Sequence, residues 1–209
     1  MWKRLLTGKS EAGTKIRPVN KKKQSDSVFI WESYSEGFNR KRILLELVVP
    51  GLIALLSWLI TFLSFTSVTE ILTKVKETNS EFFTIIAIQI GFNITSLALI
   101  GAFNKDKLRS MFAKVKDINK KEKVLKQLLA SFIYCVFIQT GIIVVGFFYN
   151  INIEDLYKLE YLQKLSTILK NTIVFSLYPI WIWIIFHSFM VSIRNVVLVY
   201  KFILVSFKN

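Results

Sequence analysis

Four apolar runs, at 47–68, 82–103, 128–149 and 172–193, contain no Asp, Glu, Lys or Arg. Crossing the hydrocarbon core of a bilayer takes about 20 apolar residues as helix. Lipid offers the backbone no hydrogen-bond partner, so an open strand cannot cross and each run must be helical. The predicted fold is therefore all-α, with four transmembrane helices in two hairpins. Composition agrees, because 53% of residues are hydrophobic while the net charge is +14. A soluble domain interleaves charge with apolar residues, whereas here the charge is gathered between the runs.

The charge blocks give an orientation. Residues 1–42 hold 11 Lys or Arg against four acids, and the segment 104–126 holds nine against three. With the C-terminal segment these regions carry 23 basic residues, while 69–81 and 150–171 together carry five. Lys/Arg excess marks cytoplasmic loops. Both ends and the 104–126 segment are thus expected in the cytoplasm of a cell inner (plasma) membrane protein, with the two short loops outside. The chain divides into a basic, largely flexible tail over 1–42 and a four-pass domain over 43–209. Within the central segment Leu108, Met111, Phe112, Val115 and Ile118 recur at helical spacing among basic residues, which predicts a basic cytoplasmic helical loop, either the second and third helices projecting as a hairpin or an amphipathic helix on the inner leaflet. Leu156, Leu159, Leu162, Leu165 and Leu169 predict a short helix capping the outer face in the second outer loop.

Several classes of function are excluded. One Cys cannot form an intrachain disulfide, and one His with one Cys is too few for a zinc, haem or iron–sulfur site. No cofactor and no metal is expected. The first apolar run is too long for a secretory signal and lacks a small-residue cleavage site. The metalloprotease, nucleophile-elbow and phosphate-loop motifs are absent, so no catalytic residue and no enzyme is predicted. The two halves show no repeat of the kind built into inverted-repeat transporters.

What remains is polar chemistry at membrane depth. Ser57, Thr61 and Ser64 mark the first run, and Gln89, Asn93 and Ser96 recur on one side of the second. Ser131, Cys135 and Gln139 follow on the third, and Ser176, Trp183, His187 and Arg194 on the fourth. Such groups are costly against lipid and turn to the protein interior or a wet cavity. One reading is interhelical hydrogen bonding. The other makes Gln89, Asn93, Ser96, Gln139 and His187 the lining of a pore or cavity in a homo-oligomer. Trp181 and Trp183 either pack against Phe92 or Phe137 or form an aromatic constriction. Glu46 is expected to pair with Lys41 or Arg42, Cys135 to fill space, and Arg194 to snorkel towards headgroups. Pro50 reads as a first-turn proline, and Pro179 as a kink or a freed carbonyl.

The basic residues Lys114, Lys116, Lys120, Lys121 and Lys123 are candidate contacts for a cytoplasmic sensor protein or acidic partner, with nucleic acid a weaker alternative. The general plan resembles that of small membrane effectors of bacterial anti-phage systems, on architecture rather than on any motif. That resemblance implies a homo-oligomeric channel or membrane-permeabilising effector. The alternative is a membrane-anchored receptor, immunity or scaffold subunit that recruits its partner through the basic face.

Overall fold

The computed structural model describes residues 26–36, 39–64, 67–102, 118–158 and 166–207. They form five helical stretches: α1 (Asp26–Ser35), α2 (Arg40–Ser64), α3 (Val68–Ala102), α4 (Ile118–Lys158) and α5 (Thr167–Phe207). The four helices α2 to α5 are long and apolar enough to cross a membrane.

Local chemistry sets where these helices start. Asn39 is extended and its side chain accepts from the Arg42 N–H at 2.9 Å, which caps α2. Ser67 and Ser166 do the same for α3 and α5, accepting from Glu70 and Leu169 at 3.3 Å. The segment 69–81, predicted as a loop, is therefore the first part of α3. It contains no Gly or Pro, has a capping serine in front and carries a Lys74–Glu77 pair at 3.6 Å. The helical content predicted around 104–126 is seen only from Ile118 on, and residues 103–117 lie outside the described set. At 41 residues, α4 and α5 are each about 60 Å long, twice a hydrocarbon core, so both project beyond it.

Helices α3, α4 and α5 pack on one another, and α2 packs chiefly along α5. Asn79 meets Asn150 and Ile100 clusters with Phe132, so α3 and α4 are antiparallel. Their approach is close at Gly146, where a Cβ would come within 2.8 Å of the Phe83 ring. Apolar side chains such as Leu56, Ile60, Leu63, Ile88, Phe137 and Phe148 point outward. The buried set, by contrast, includes Glu46, Asn79, Asn93, Gln139, His187 and Asn195. Apolar outside and polar inside is the arrangement lipid selects.

The α2–α5 seam is built around two prolines. Pro179 has no N–H to offer the Phe175 carbonyl one turn earlier, and the Trp58 indole of α2 donates to that oxygen at 3.1 Å. Pro50 is the reciprocal case. It does not sit in a first turn as predicted, because α2 already begins at Arg40. It follows a π-helical turn over Leu44–Val48, and the carbonyl its missing N–H leaves open is that of Glu46. His187 of α5 takes that oxygen through Nδ1 at 2.6 Å. Each proline thus exposes a carbonyl that the opposite helix satisfies.

Candidate functional site

Glu46, whose carbonyl Pro50 leaves open, sits in the π turn with its side chain buried. Glu46 is 2% exposed and is held by two guanidinium groups, Arg42 Nε at 3.0 and 3.2 Å and Arg194 Nη1 in a short contact. Tyr34 of α1 donates its hydroxyl to the same carboxylate at 2.7 Å. The guanidinium of Arg42 lies 4.2 Å from the Tyr34 ring centre, a cation–π geometry. Burial, and then the adjoining Glu46 carboxylate, holds the Tyr34 phenol above its ordinary range, so it stays a donor. The Arg42–Glu46 pair was expected. Arg194 departs from expectation, turning in to Glu46 and Ser131 instead of reaching outward, because a buried carboxylate offers more than a headgroup can. Among the described residues Arg194 Nε is buried without a hydrogen-bond partner.

His187 adds a second link to this end. A carbonyl only accepts, so Nδ1 carries the proton towards Glu46 O, and Nε2 faces the Tyr134 hydroxyl at 3.0 Å. Trp183 lies beside it and donates to the Leu47 carbonyl at 3.1 Å.

A hydrogen-bonded row leads from Arg194 into the bundle. Arg194 Nη2 donates to Ser131 Oγ, which donates to Asn195 Oδ1 at 2.6 Å. Asn195 Nδ2 donates to Asn93 Oδ1 at 2.9 Å, and Asn93 Nδ2 to Gln139 Oε1 at 3.2 Å. Gln139 Nε2 then donates to Gln89 Oε1 at 2.8 Å. Every link runs in the same direction, with oxygen towards the guanidinium and N–H or O–H away from it. The positive charge of Arg194 aligns the row, and each bond polarises the next. From Asn195 to Gln89 every member is an amide, which accepts at oxygen and donates at nitrogen. The row therefore orients dipoles and does not hand protons along. Asn93 is its hub, with Cys135 Sγ at 3.5 Å and Ser192 Oγ at 3.4 Å also in reach.

Beyond Gln89 the interior turns apolar. Ile86, Ile142 and Ile185, each 3% exposed or less, form a layer flanked by Phe82 and Trp181. On its far side lies a second polar group. Asn79 Nδ2 donates to Asn150 Oδ1 at 3.1 Å, and the Trp181 indole donates to Asn79 Oδ1 at 2.8 Å. Tyr149 closes this end by donating to the Leu72 carbonyl at 3.1 Å.

Of the predicted lining residues, Gln89, Asn93 and Gln139 are joined inside one chain and Ser96 is buried one turn from Asn93, whereas His187 stands apart from them on the Glu46 carbonyl and Tyr134. Trp181 and Trp183 do not meet at one constriction; one indole serves Asn79, the other Leu47. Lys114 and Lys116 lie outside the described residues, as do the side chains of Lys120 and Lys121, and Lys123 pairs with Glu36 at 3.0 Å. The sequence reading passed over Tyr34, Tyr134, Ser192, Asn195, Asn79 and Asn150. Asn195 was findable, since His187, Ser188, Ser192 and Asn195 fall on one helical face. Among the described residues no three His, Cys, Asp or Glu side chains are grouped as a metal site. Comparison with protein-family models, with curated proteins and with solved structures gave no match to this chain.

Proposed function

We propose that this chain permeabilises the membrane in which it sits, as a channel whose ion path is the interior of its own helix bundle. One observation carries the reading: two polar groups reach into the bundle from opposite ends and are parted by a single layer, Ile86, Ile142 and Ile185. An apolar constriction on an ion path gates by dewetting. The outward faces of the helices are rich in leucine, isoleucine and phenylalanine. This favours a path within each chain over one along the axis of a homo-oligomer. The amide row suits a hydrated ion better than a hopping proton. By the distribution of Lys and Arg, the Arg42–Glu46–Arg194 end faces the cytoplasm of an inner membrane, with both chain ends on that side.

The test is ion flux from proteoliposomes at matched protein content. Ile185→Ser, which wets the layer, is expected to raise flux about tenfold or more over wild type by lowering a dewetting barrier. Asn93→Leu in the same background is expected to remove most of that gain. Vesicles of Ile185→Ser as tight as wild type would overturn the reading. A second reading, a membrane-anchored subunit recruiting an acidic cytoplasmic partner, draws on the exposed Arg40, Lys41 and Lys123 around α1. It expects pulldown lost on reversing those charges and no flux from either variant.

A further inference from the structure

Helix α1 is too short to cross a membrane, yet its Tyr34 is among the most deeply buried side chains, 1% exposed. The Tyr34 ring stacks on Tyr134 with centroids 3.8 Å apart, and its hydroxyl ends on Glu46. Its carbonyl accepts from Arg42 Nη1 at 3.1 Å, and the Arg194 guanidinium lies 5.3 Å from the ring. Trp31, half exposed, covers the Tyr34–Tyr134 stack from outside. At its C-terminal end Glu36 pairs with Lys123 of α4. One phenol thus touches each member of the charged cluster, and through Tyr134 it borders His187.

We propose that α1 is an autoinhibitory latch: docked, Tyr34 closes the Arg42–Glu46–Arg194 end of the bundle, and undocked it opens that end. What the latch controls rests on the reading given under Proposed function. Its docking equilibrium is measurable apart from any flux. The attachment is of a kind that can reverse. A ten-residue helix has little stability by itself, and the Glu36–Lys123 pair is exposed on both sides. Release uncovers Tyr134 and takes one wall from around Cys135, which clusters with Tyr34, Ala130 and Val191 and otherwise faces Asn93 and Ser188.

Cys135 is the one cysteine of the chain and is fully buried, so it reports on the latch without any engineering. The experiment measures the rate at which a small uncharged maleimide labels the full-length protein in lipid nanodiscs. Wild type is expected to label slowly. Tyr34→Ala is expected to label about tenfold faster or more, as a minor undocked population becomes the major one. Tyr34→Phe keeps the stack, loses the bond to Glu46 and is expected to label a few-fold faster. Lys123→Glu changes only an exposed side chain, so the fold is retained. It is expected to label a few-fold faster, and Glu36→Lys added to it is expected to restore the wild-type rate. Wild-type labelling in both Tyr34→Phe and Lys123→Glu would overturn the latch. Faster labelling in vesicles that stay tight for every variant, Ile185→Ser included, would support the latch and overturn the conduction reading. Flux through Ile185→Ser with labelling unchanged in the α1 variants would do the reverse.

Discussion

Glu46 is the side chain on which most of the charged chemistry depends, and its loss is expected to be costly. Glu46→Gln leaves two guanidinium groups converging on a neutral amide. Breaking a buried pair from one side costs about 3–5 kcal/mol, and thermal unfolding in detergent would read it as a large drop in midpoint. Arg194→Leu alone is expected to cost a similar amount. The double variant Glu46→Gln/Arg194→Leu is expected to lose less than the two singles added, because the bond between the two groups can be lost only once. Additive losses would show that the two groups are not coupled. The amide row behaves differently, since its members are neutral. Asn93→Leu strands Asn195 and Gln139 together. At about 0.6–2 kcal/mol per interhelical bond, it is expected to cost more than Gln89→Leu, which trims the end of the row. Equal losses would mean that Asn93 is not the hub.

At the scale of helices, the two proline sites make paired predictions. In Pro179→Ala the restored N–H competes with Trp58 for the Phe175 carbonyl. Trp58→Phe is then expected to destabilise wild type but to cost little in the Pro179→Ala background, a coupling that a double-mutant cycle measures. Pro50→Ala places an N–H beneath the Glu46 carbonyl and competes with His187. It is expected to lower stability, although proline inside a helix is ordinarily unfavourable by about 3 kcal/mol. A more stable Pro50→Ala would show that the His187 bond to the Glu46 carbonyl is worth less than the helix bond the proline removes. These elements also mark how far the sequence could be read. The four spans were legible because the bilayer sets a minimum length for an uncharged run, and Asn93 and Gln139 stood out because amides are rare at that depth. The freed carbonyl at Pro179 was foreseen as one of two outcomes. The π turn was not, since nothing in LLELV distinguishes five-residue from four-residue spacing until His187 is known to face it. Asn79 stood in a segment taken for a loop. Tyr34 sits in a stretch with no apolar period, 12 residues from the carboxylate it meets.

For the molecule as a whole, packing is uneven. Helices α3, α4 and α5 share one another's faces, whereas α2 is fastened to α5 along a single seam and exposes Leu52, Leu55, Leu56, Ile60 and Leu63. Its acidic residue meets Arg194, 148 positions later in the chain. A ribosome adding about 5–20 residues per second makes that interval roughly 7–30 s. Throughout it, the first span lodges in the bilayer with its carboxylate already in place and its second guanidinium partner unsynthesised. Arg42, one turn away, is the only guanidinium of the pair that exists during the wait, and it escorts Glu46 across that gap. The nascent chain therefore carries a counter-ion of its own from the outset, and Arg42→Gln should betray itself first in membrane yield, before any loss appears in the finished protein.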